Sequence, residues 1–313
     1  MRSALFLILA LGAAVIAAMP IAGLWSPWAD AFASFLPLAA PLALAGLLIG
    51  WRKWRWAGLI LSAFALAESA WFAAREWNVP HEPAGAGPRL VVVTHNLLNS
   101  NARPSETVDM LANSGADVIL LQEAWGDVRA HLDGLARRYP YHSMCPGPCD
   151  LAIYSRLPMT PPEWKLRAED KSAYGPPIMW ARVTLSDGSS VMVAALHQHW
   201  PIPPGLQQLD REQLVTAMAR LGEPTLVLGG DFNLTPWSSG MRELDENMPS
   251  LRRITRGLFS FPSHLGGVRW PVPILPIDHI FVGPKWRVID VRRLPATGSD
   301  HYPIRAELEL SGR

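Results

Sequence analysis

Eight polar side chains stand where apolar runs stop. They are Asn96 in "THNLLNSN", Glu123 in "LLQEAW", His197 in "ALHQHWP", Asp231 and Asn233 in "GDFN", Asp278 in "PIDHIF", and Asp300 with His301 in "GSDHYP". Taken one at a time, each has an ordinary structural reading as a turn former, a helix cap or a satisfied core histidine. Taken together they form a set of carboxylates and amides with a few imidazoles. Hard oxygen donors of that kind suit Mg2+ or Mn2+. Zinc fits less well, because no histidine pair sits at helical spacing and the chain has only two cysteines, Cys145 and Cys149.

The elements that must position these groups are legible as short apolar runs. Strands are expected over 89–96, 116–123, 150–156, 225–233, 277–283 and 304–310, with a hairpin over 180–199 turning at Asp187-Gly188. Helices are expected over 105–115, with Ser105 as N-cap and Gly115 as stop, and over 206–222. Runs apolar on both faces imply sheets covered by other layers. Polar residues at the ends of adjacent strands converge on one rim, where open α/β sheets place ligands. Alternation puts His199 on the face of His197, either lining a pocket or on the loop, whereas His95 and His279 point away from their candidate neighbours and read as structural.

The first 74 residues differ from the rest. Apolar runs over 4–24, 31–50 and 57–74 each approach the ~20 residues that span a bilayer as a helix. The first has Arg2 as a charged start and resembles a signal peptide, but two further runs follow at once, which favours an uncleaved anchor. Glu68 is the one ionisable group in the third run. Arg52, Lys53 and Arg55 in "WRKWRW" place the loop between runs two and three in the cytoplasm, so everything after residue 75 is expected on the far side. The Pro/Gly/Ala-rich residues 75–88 read as a linker and 89–313 as the domain that carries the chemistry. Outside the cytoplasm, Cys145 and Cys149 in "CPGPCD" are expected to form a small disulfide.

The ordered set N, QE, H, GDFN, DH, SDH over residues 89–310 resembles the endonuclease/exonuclease/phosphatase superfamily, which is deoxyribonuclease I-like, and its bacterial membrane-anchored members in particular. The resemblance implies a four-layer α/β sandwich with two packed mixed β-sheets, here preceded by three transmembrane helices. It implies hydrolysis of phosphodiester bonds with Mg2+ or Mn2+. Glu123 resembles the principal metal carboxylate, Asp300 the second acid near the metal, and Asn96 the amide that orders that site. Asp231 resembles the acid that handles the attacking water, Asn233 the amide that holds phosphate, His197 a phosphate-binding histidine, and His301 the catalytic histidine backed by Asp278. Whether His301 or Asp231 takes the proton of the water is open at this stage.

From Arg75 onward the chain has 24 Lys/Arg and 25 Asp/Glu, a balance of −1. A dedicated nonspecific DNA binder usually shows a basic face, although acidic metal ligands lower any such total. A local cluster, Arg252, Arg253 and Arg256, followed by Phe259, Phe261, Arg269 and Trp270, is expected to form a rim that grips phosphates and stacks on bases or meets lipid headgroups. Three functions follow: a phosphodiesterase acting on nucleic acid at the outer face of the membrane, the same chemistry on a phospholipid or small phosphoester, or a non-catalytic membrane-bound binding protein with the same fold. No protein partner is implied.

Overall fold

The computed structural model describes residues 2–49, 55–77, 81–146, 149–167, 174–265, 268–270 and 272–311. The chain forms two compact units. One gathers the N-terminal 78 residues with Trp200–Gln208 and Leu234–Leu244; the other holds the remainder.

In the first unit, helices α1 (Arg2–Ala22), α2 (Pro27–Phe32), α3 (Ala39–Ile49) and α4 (Arg55–Glu76) carry the apolar runs. Three stretches, Arg2–Ala22, Pro27–Ile49 and Arg55–Glu76, are long and apolar enough to cross a membrane by length and composition. The second is not one uniform helix. Ser26 caps α2, and a 3-10 segment, Ala33–Leu38, carries Pro37 before α3 resumes. Proline lacks the N–H that an α-helical turn needs, which accounts for the break. Small residues let the helices approach: a Cβ on Gly58 would lie 2.2 Å from the ring of Phe6. The loop residues Arg52 and Lys53, on which the expected orientation rests, lie outside the described residues.

The second unit is a sandwich of two six-stranded mixed sheets. Sheet one runs β13 (Trp286–Arg293), β14 (Ile304–Leu310), β1 (Arg89–Asn96), β2 (Val118–Gln122), β4 (Ala152–Ser155), β3 (Tyr141–Met144). Sheet two runs β5 (Glu163–Arg167), β6 (Tyr174–Thr184), β7 (Ser190–His197), β8 (Leu226–Asp231), β12 (Asp278–Val282), β9 (Arg252–Arg253). A separate hairpin joins β10 (His264–Leu265) to β11 (Val268–Arg269). Each sheet has one parallel pair, β1 with β2 and β7 with β8; every other pairing is antiparallel.

The period of two in each strand builds the layers. Leu90, Val92, Val118 and Leu120 face inward against Val191, Val193, Val227 and Ile280 of the other sheet. The alternate residues, Val93, Ile119 and Leu121, face outward and are covered with Val108 and Leu111 of α5 (Pro104–Ala112) and Leu135 of α6 (Asp133–Ala136). α7 (Pro204–Leu221) and α8 (Ser239–Asn247) are each divided between the two units. α5 starts a residue before the expected cap, because Pro104 occupies the first turn, where a missing N–H costs nothing.

The segment expected as a plain linker is bonded to sheet one. The Glu82 N–H donates to the Val288 carbonyl (2.8 Å), and the Gly85 N–H donates to both carboxylate oxygens of buried Glu309 (2.9 and 2.8 Å). Cys145 and Cys149 are joined by a disulfide with Cα atoms 5.6 Å apart.

Candidate functional site

Register alone delivers a row of chemistry. Across β7, β8 and β12, His197 lies opposite Asp231, and Asp231 opposite Asp278. In the other sheet Asn96 lies opposite Gln122, with Glu123 next along the chain. The glycines before Asp231 make this close approach sterically feasible. A Cβ on Gly230 would lie 1.9 Å from the Leu196 carbonyl oxygen, and one on Gly229 would lie 3.0 Å from Leu120 of the facing sheet. Asp300 and His301 arrive on the turn before β14. Ser299 fixes them, its hydroxyl donating to the Asn96 carbonyl (2.7 Å) and accepting from the His301 N–H (3.0 Å).

Two histidines converge on one carboxylate. His301 Nδ1 bonds Asp278 Oδ2 at 2.8 Å, and its Nε2 lies 3.7 Å from Asp231 Oδ2. His197 Nδ1 bonds Asp150 Oδ2 at 2.6 Å, and its Nε2 lies 3.8 Å from the same Asp231 oxygen. Each carboxylate fixes the proton of its imidazole on Nδ1 and turns Nε2 toward Asp231. Burial opposes charge on both rings, but the surrounding acids outweigh it. Asp278, Asp231 and Asp300 raise His301 to about 10; Asp150, then Asp231 and Glu123, raise His197 to about 9. Both are therefore imidazolium near neutrality. Burial pushes Asp231 up, helped by Asp278, while His301 holds Asp278 below the usual carboxylate range against the pull of its own burial.

Asn96 bridges the two sheets. Its Nδ2 donates to Glu123 Oε1 and to Asp231 Oδ2, each at 3.1 Å, while its Oδ1 accepts from the Leu98 N–H (3.0 Å). Asn96 thus serves as a donor that aligns two acids, one from each sheet. Asn99 braces the other oxygen of Glu123 through its N–H (2.9 Å) and side-chain amide (3.0 Å). Leu98, Glu123 and Asn233 all have positive φ, at 55°, 53° and 50°. Such backbone costs roughly 1–3 kcal/mol per residue and clusters at functional sites. Asn233 donates its N–H to Asp231 Oδ1 (2.8 Å) and its amide to the Gln198 carbonyl (2.8 Å), so it secures the acid from the next turn.

This strand-end constellation, spread over both sheets in the order read from the sequence, coincides with a match of residues 93–301 to the model of the Endonuclease/Exonuclease/phosphatase family. The chain belongs to that family. Its sandwich is similar to the endonuclease/exonuclease/phosphatase from Beutenbergia cavernae DSM 12333, at 19% identity over 72% of each chain with a TM-score of 0.57. It also resembles D. rerio TDP2 complexed with a single-strand DNA product (15% identity, 71% of this chain and 99% of that one, TM-score 0.58). A third neighbour is sphingomyelinase C from Streptomyces griseocarneus (17% identity, 70% and 99%, TM-score 0.52). No curated protein sequence matches the chain. At these identities the neighbours establish a deoxyribonuclease I-like fold of two packed mixed sheets, and the family groups nucleases with phosphatases.

Against that family frame, the structure gathers Asn96, Glu123, His197, Asp231, Asn233, Asp278, Asp300 and His301 around one rim. It does not bring the arginine cluster there. Arg252 and Arg253 lie on β9, which pairs with Phe281 and Val282 at the far end of β12 from Asp278. Arg253 is buried on Asp245 (2.9 Å), Arg256 approaches the same acid (3.9 Å), and Arg252 pairs with Glu82 (2.8 Å). Sequence proximity to the "IDHIF" strand could not reveal which end of it β9 would meet. Trp270 follows β11 and donates its N–H to Ser263, whose own N–H donates to the Asp300 carbonyl (2.6 Å), so this aromatic belongs to the rim segment. His95 and His279 are buried on Thr297 (3.0 Å) and Thr255 (3.1 Å), and His199 bonds Asp210 (2.7 Å). Two site residues escaped the sequence reading. Asn99 gave no signal beyond its nearness to Asn96. Asp150 did, as an acid between the second cysteine and an apolar strand.

Proposed function

We propose that the chain is a divalent-cation-dependent phosphoesterase that hydrolyses phosphodiester bonds. The observation that carries this reading is the convergence of two carboxylate-backed imidazoliums on Asp231. A phosphodiester is anionic and repels hydroxide, so its hydrolysis needs positive charge on the phosphoryl oxygens and a base for the water. The Nε2–H groups of His197 and His301 donate to phosphoryl oxygens and concentrate positive charge where negative charge grows, an effect of roughly 3–4 kcal/mol per donor. Asp231, buried and raised, accepts the proton of the attacking water. His301 is held cationic by Asp278 and acts as a donor, which supports Asp231 as the base.

The donor set fits Mg2+ or Mn2+. Glu123 is held by three amide donors, and Asp300 is raised chiefly by burial, with the charge of Glu123 adding to it, so two acids stand near enough to repel. Glu123 and Asp300 would hold the cation, which when bound neutralises phosphoryl charge and stabilises the leaving oxygen. Asp231, Asp278 and His301 also offer atoms within 4.8 Å of one another. His301 Nδ1 and Asp278 Oδ2 already bond each other there, and that trio is better suited to moving a proton.

Residues 1–74 serve as a membrane anchor and 89–313 as the catalytic region, held outside the cytoplasm. The charge of "WRKWRW" and the disulfide at Cys145–Cys149 support this orientation. Arg252, Arg253 and Arg256, expected to meet either nucleic acid or lipid headgroups, pair with Glu82 and Asp245 instead, so the substrate is argued below from the rim itself. The test is turnover of bis(4-nitrophenyl) phosphate by the full chain in detergent. Activity that needs Mg2+ or Mn2+ and is abolished by chelator is expected; chelator-resistant activity, or none, would refute the reading.

A further inference from the structure

A cavity of about 900 Å³ adjoins the cation-holding end of the site, and no step described above uses it. Three separate segments wall it: the turn after β1, with Ser100 and Arg103; the β10–β11 hairpin, with His264 and Arg269; and the turn before β14, with Asp300. Its size is that of a pocket for a small molecule, which typically measures roughly 300–1,000 Å³.

The walls are cationic and held in place. Arg269 is exposed, and its guanidinium makes no hydrogen bond or ion pair among the described residues. Arg103 donates to the Thr297 carbonyl (3.1 Å), and its one acidic partner, Glu106 at 3.2 Å, has a side chain 70% exposed. Such a surface pair is weak and exchanges readily for a better anion. His264 directs Nδ1 to the Ser299 carbonyl (3.2 Å), which leaves Nε2 as its other hydrogen-bonding atom. The first segment is fixed from below, since Asn101 accepts the Arg103 N–H (2.9 Å) and Thr107 accepts the Gly298 N–H (3.0 Å). Two guanidiniums thus face a single carboxylate, Asp300, that a bound cation would neutralise.

Guanidinium forks match phosphate geometry, and a pocket walled by three segments selects a discrete group rather than a track of backbone. The near-neutral balance from Arg75 onward, and the burial of Arg253 in an ion pair, favour a discrete phosphate over the backbone of a duplex. We infer that this cavity binds a second phosphate of the substrate, so that the substrate is a small phosphoester or headgroup bearing a phosphomonoester beside the bond that is cleaved. The inference rests on the phosphoesterase reading and names its substrate class.

Two measurements on the full chain in detergent test it. The first is calorimetric binding of propane-1,3-diyl bisphosphate and of propyl phosphate in the presence of chelator, for the wild type and for Arg103→Gln/Arg269→Gln. The wild type is expected to bind the bisphosphate about tenfold more tightly than the monophosphate, and the double variant to lose that margin. Equal affinities in the wild type, or an unchanged margin in a double variant that keeps the wild-type melting temperature, would overturn the inference. So would oligothymidylate binding more tightly than the bisphosphate, which would assign the cavity to nucleic acid. The second is the KM for a 4-nitrophenyl diester carrying an added phosphomonoester, which is expected to rise about tenfold more in the double variant than the KM for bis(4-nitrophenyl) phosphate. Discrimination in binding with no turnover of any ester would refute the phosphoesterase reading and leave the cavity assignment standing. Saturable binding to vesicles containing phosphatidylglycerol phosphate, rather than to the free bisphosphate alone, would identify the source of the second phosphate as lipid.

Discussion

Replacing Asp150 with Asn tests the pairing that the sequence did not reveal. His197 is buried, and the Asp150 carboxylate bonded to it at 2.6 Å does most to keep its imidazole charged. A pKa of about 9 in place of the ordinary 6.5 favours the folded state by about 3 kcal/mol whenever the imidazole is charged. The folded value is raised, so this stability is fully present below about pH 6.5 and is lost as pH climbs through about 9. Asp150→Asn keeps the shape and removes the charge, leaving only Asp231 and Glu123 to favour the imidazolium, so it is expected to cost about 2–3 kcal/mol at pH 6 and progressively less toward pH 9 and above. The assay is denaturant unfolding of wild type and variant in detergent, followed by tryptophan fluorescence across that pH range. Turnover of a phosphodiester should fall about a hundredfold as His197 loses its fixed Nε2–H. A stability gap that does not narrow with rising pH would refute the reasoning, as would no gap at pH 6.

Three further outcomes follow from the same geometry. His301→Ala and Asp231→Ala should each reduce kcat by at least about 10³-fold with the circular dichroism spectrum intact; near-normal turnover in either would remove its role. Arg253→Gln leaves Asp245 without its buried partner and should lower stability by about 3 kcal/mol while kcat stays near wild type, and a selective loss of kcat instead would restore Arg253 to the site. Gly230→Ala forces a Cβ onto the Leu196 carbonyl and should destabilise the fold by about 3 kcal/mol or more, read as a drop in melting temperature; an unchanged midpoint would show that β8 can shift aside.

The strands were legible where one rule dominated. β1 and β14 fall on the expected residues because an apolar period-two run bounded by polar or turn residues has few alternatives. The site was legible for the same reason, since polar residues that terminate buried strands must share a rim once the strands are adjacent. Pairing order was not legible. Nothing local says that β9 meets the far end of β12, and that one fact moved Arg252 and Arg253 away from the chemistry. Nor does a local pattern join Asp150 to His197 across 47 positions, or show that residues 81–88 bond to the edge of a sheet. These are consequences of tertiary packing, and residue types alone do not encode them.

Asn96 has a consequence for when the chain can act. It grows from one sheet and donates to an acid on each, Glu123 and Asp231. The acids that would grip a cation come with one slab, while Asp231, which would take the proton, ends a strand of the other, and the amide is the splice between them. A chain in which only one slab has formed carries half of a reaction centre and none of its alignment. Catalytic competence is therefore a property of the closed sandwich and of neither slab alone.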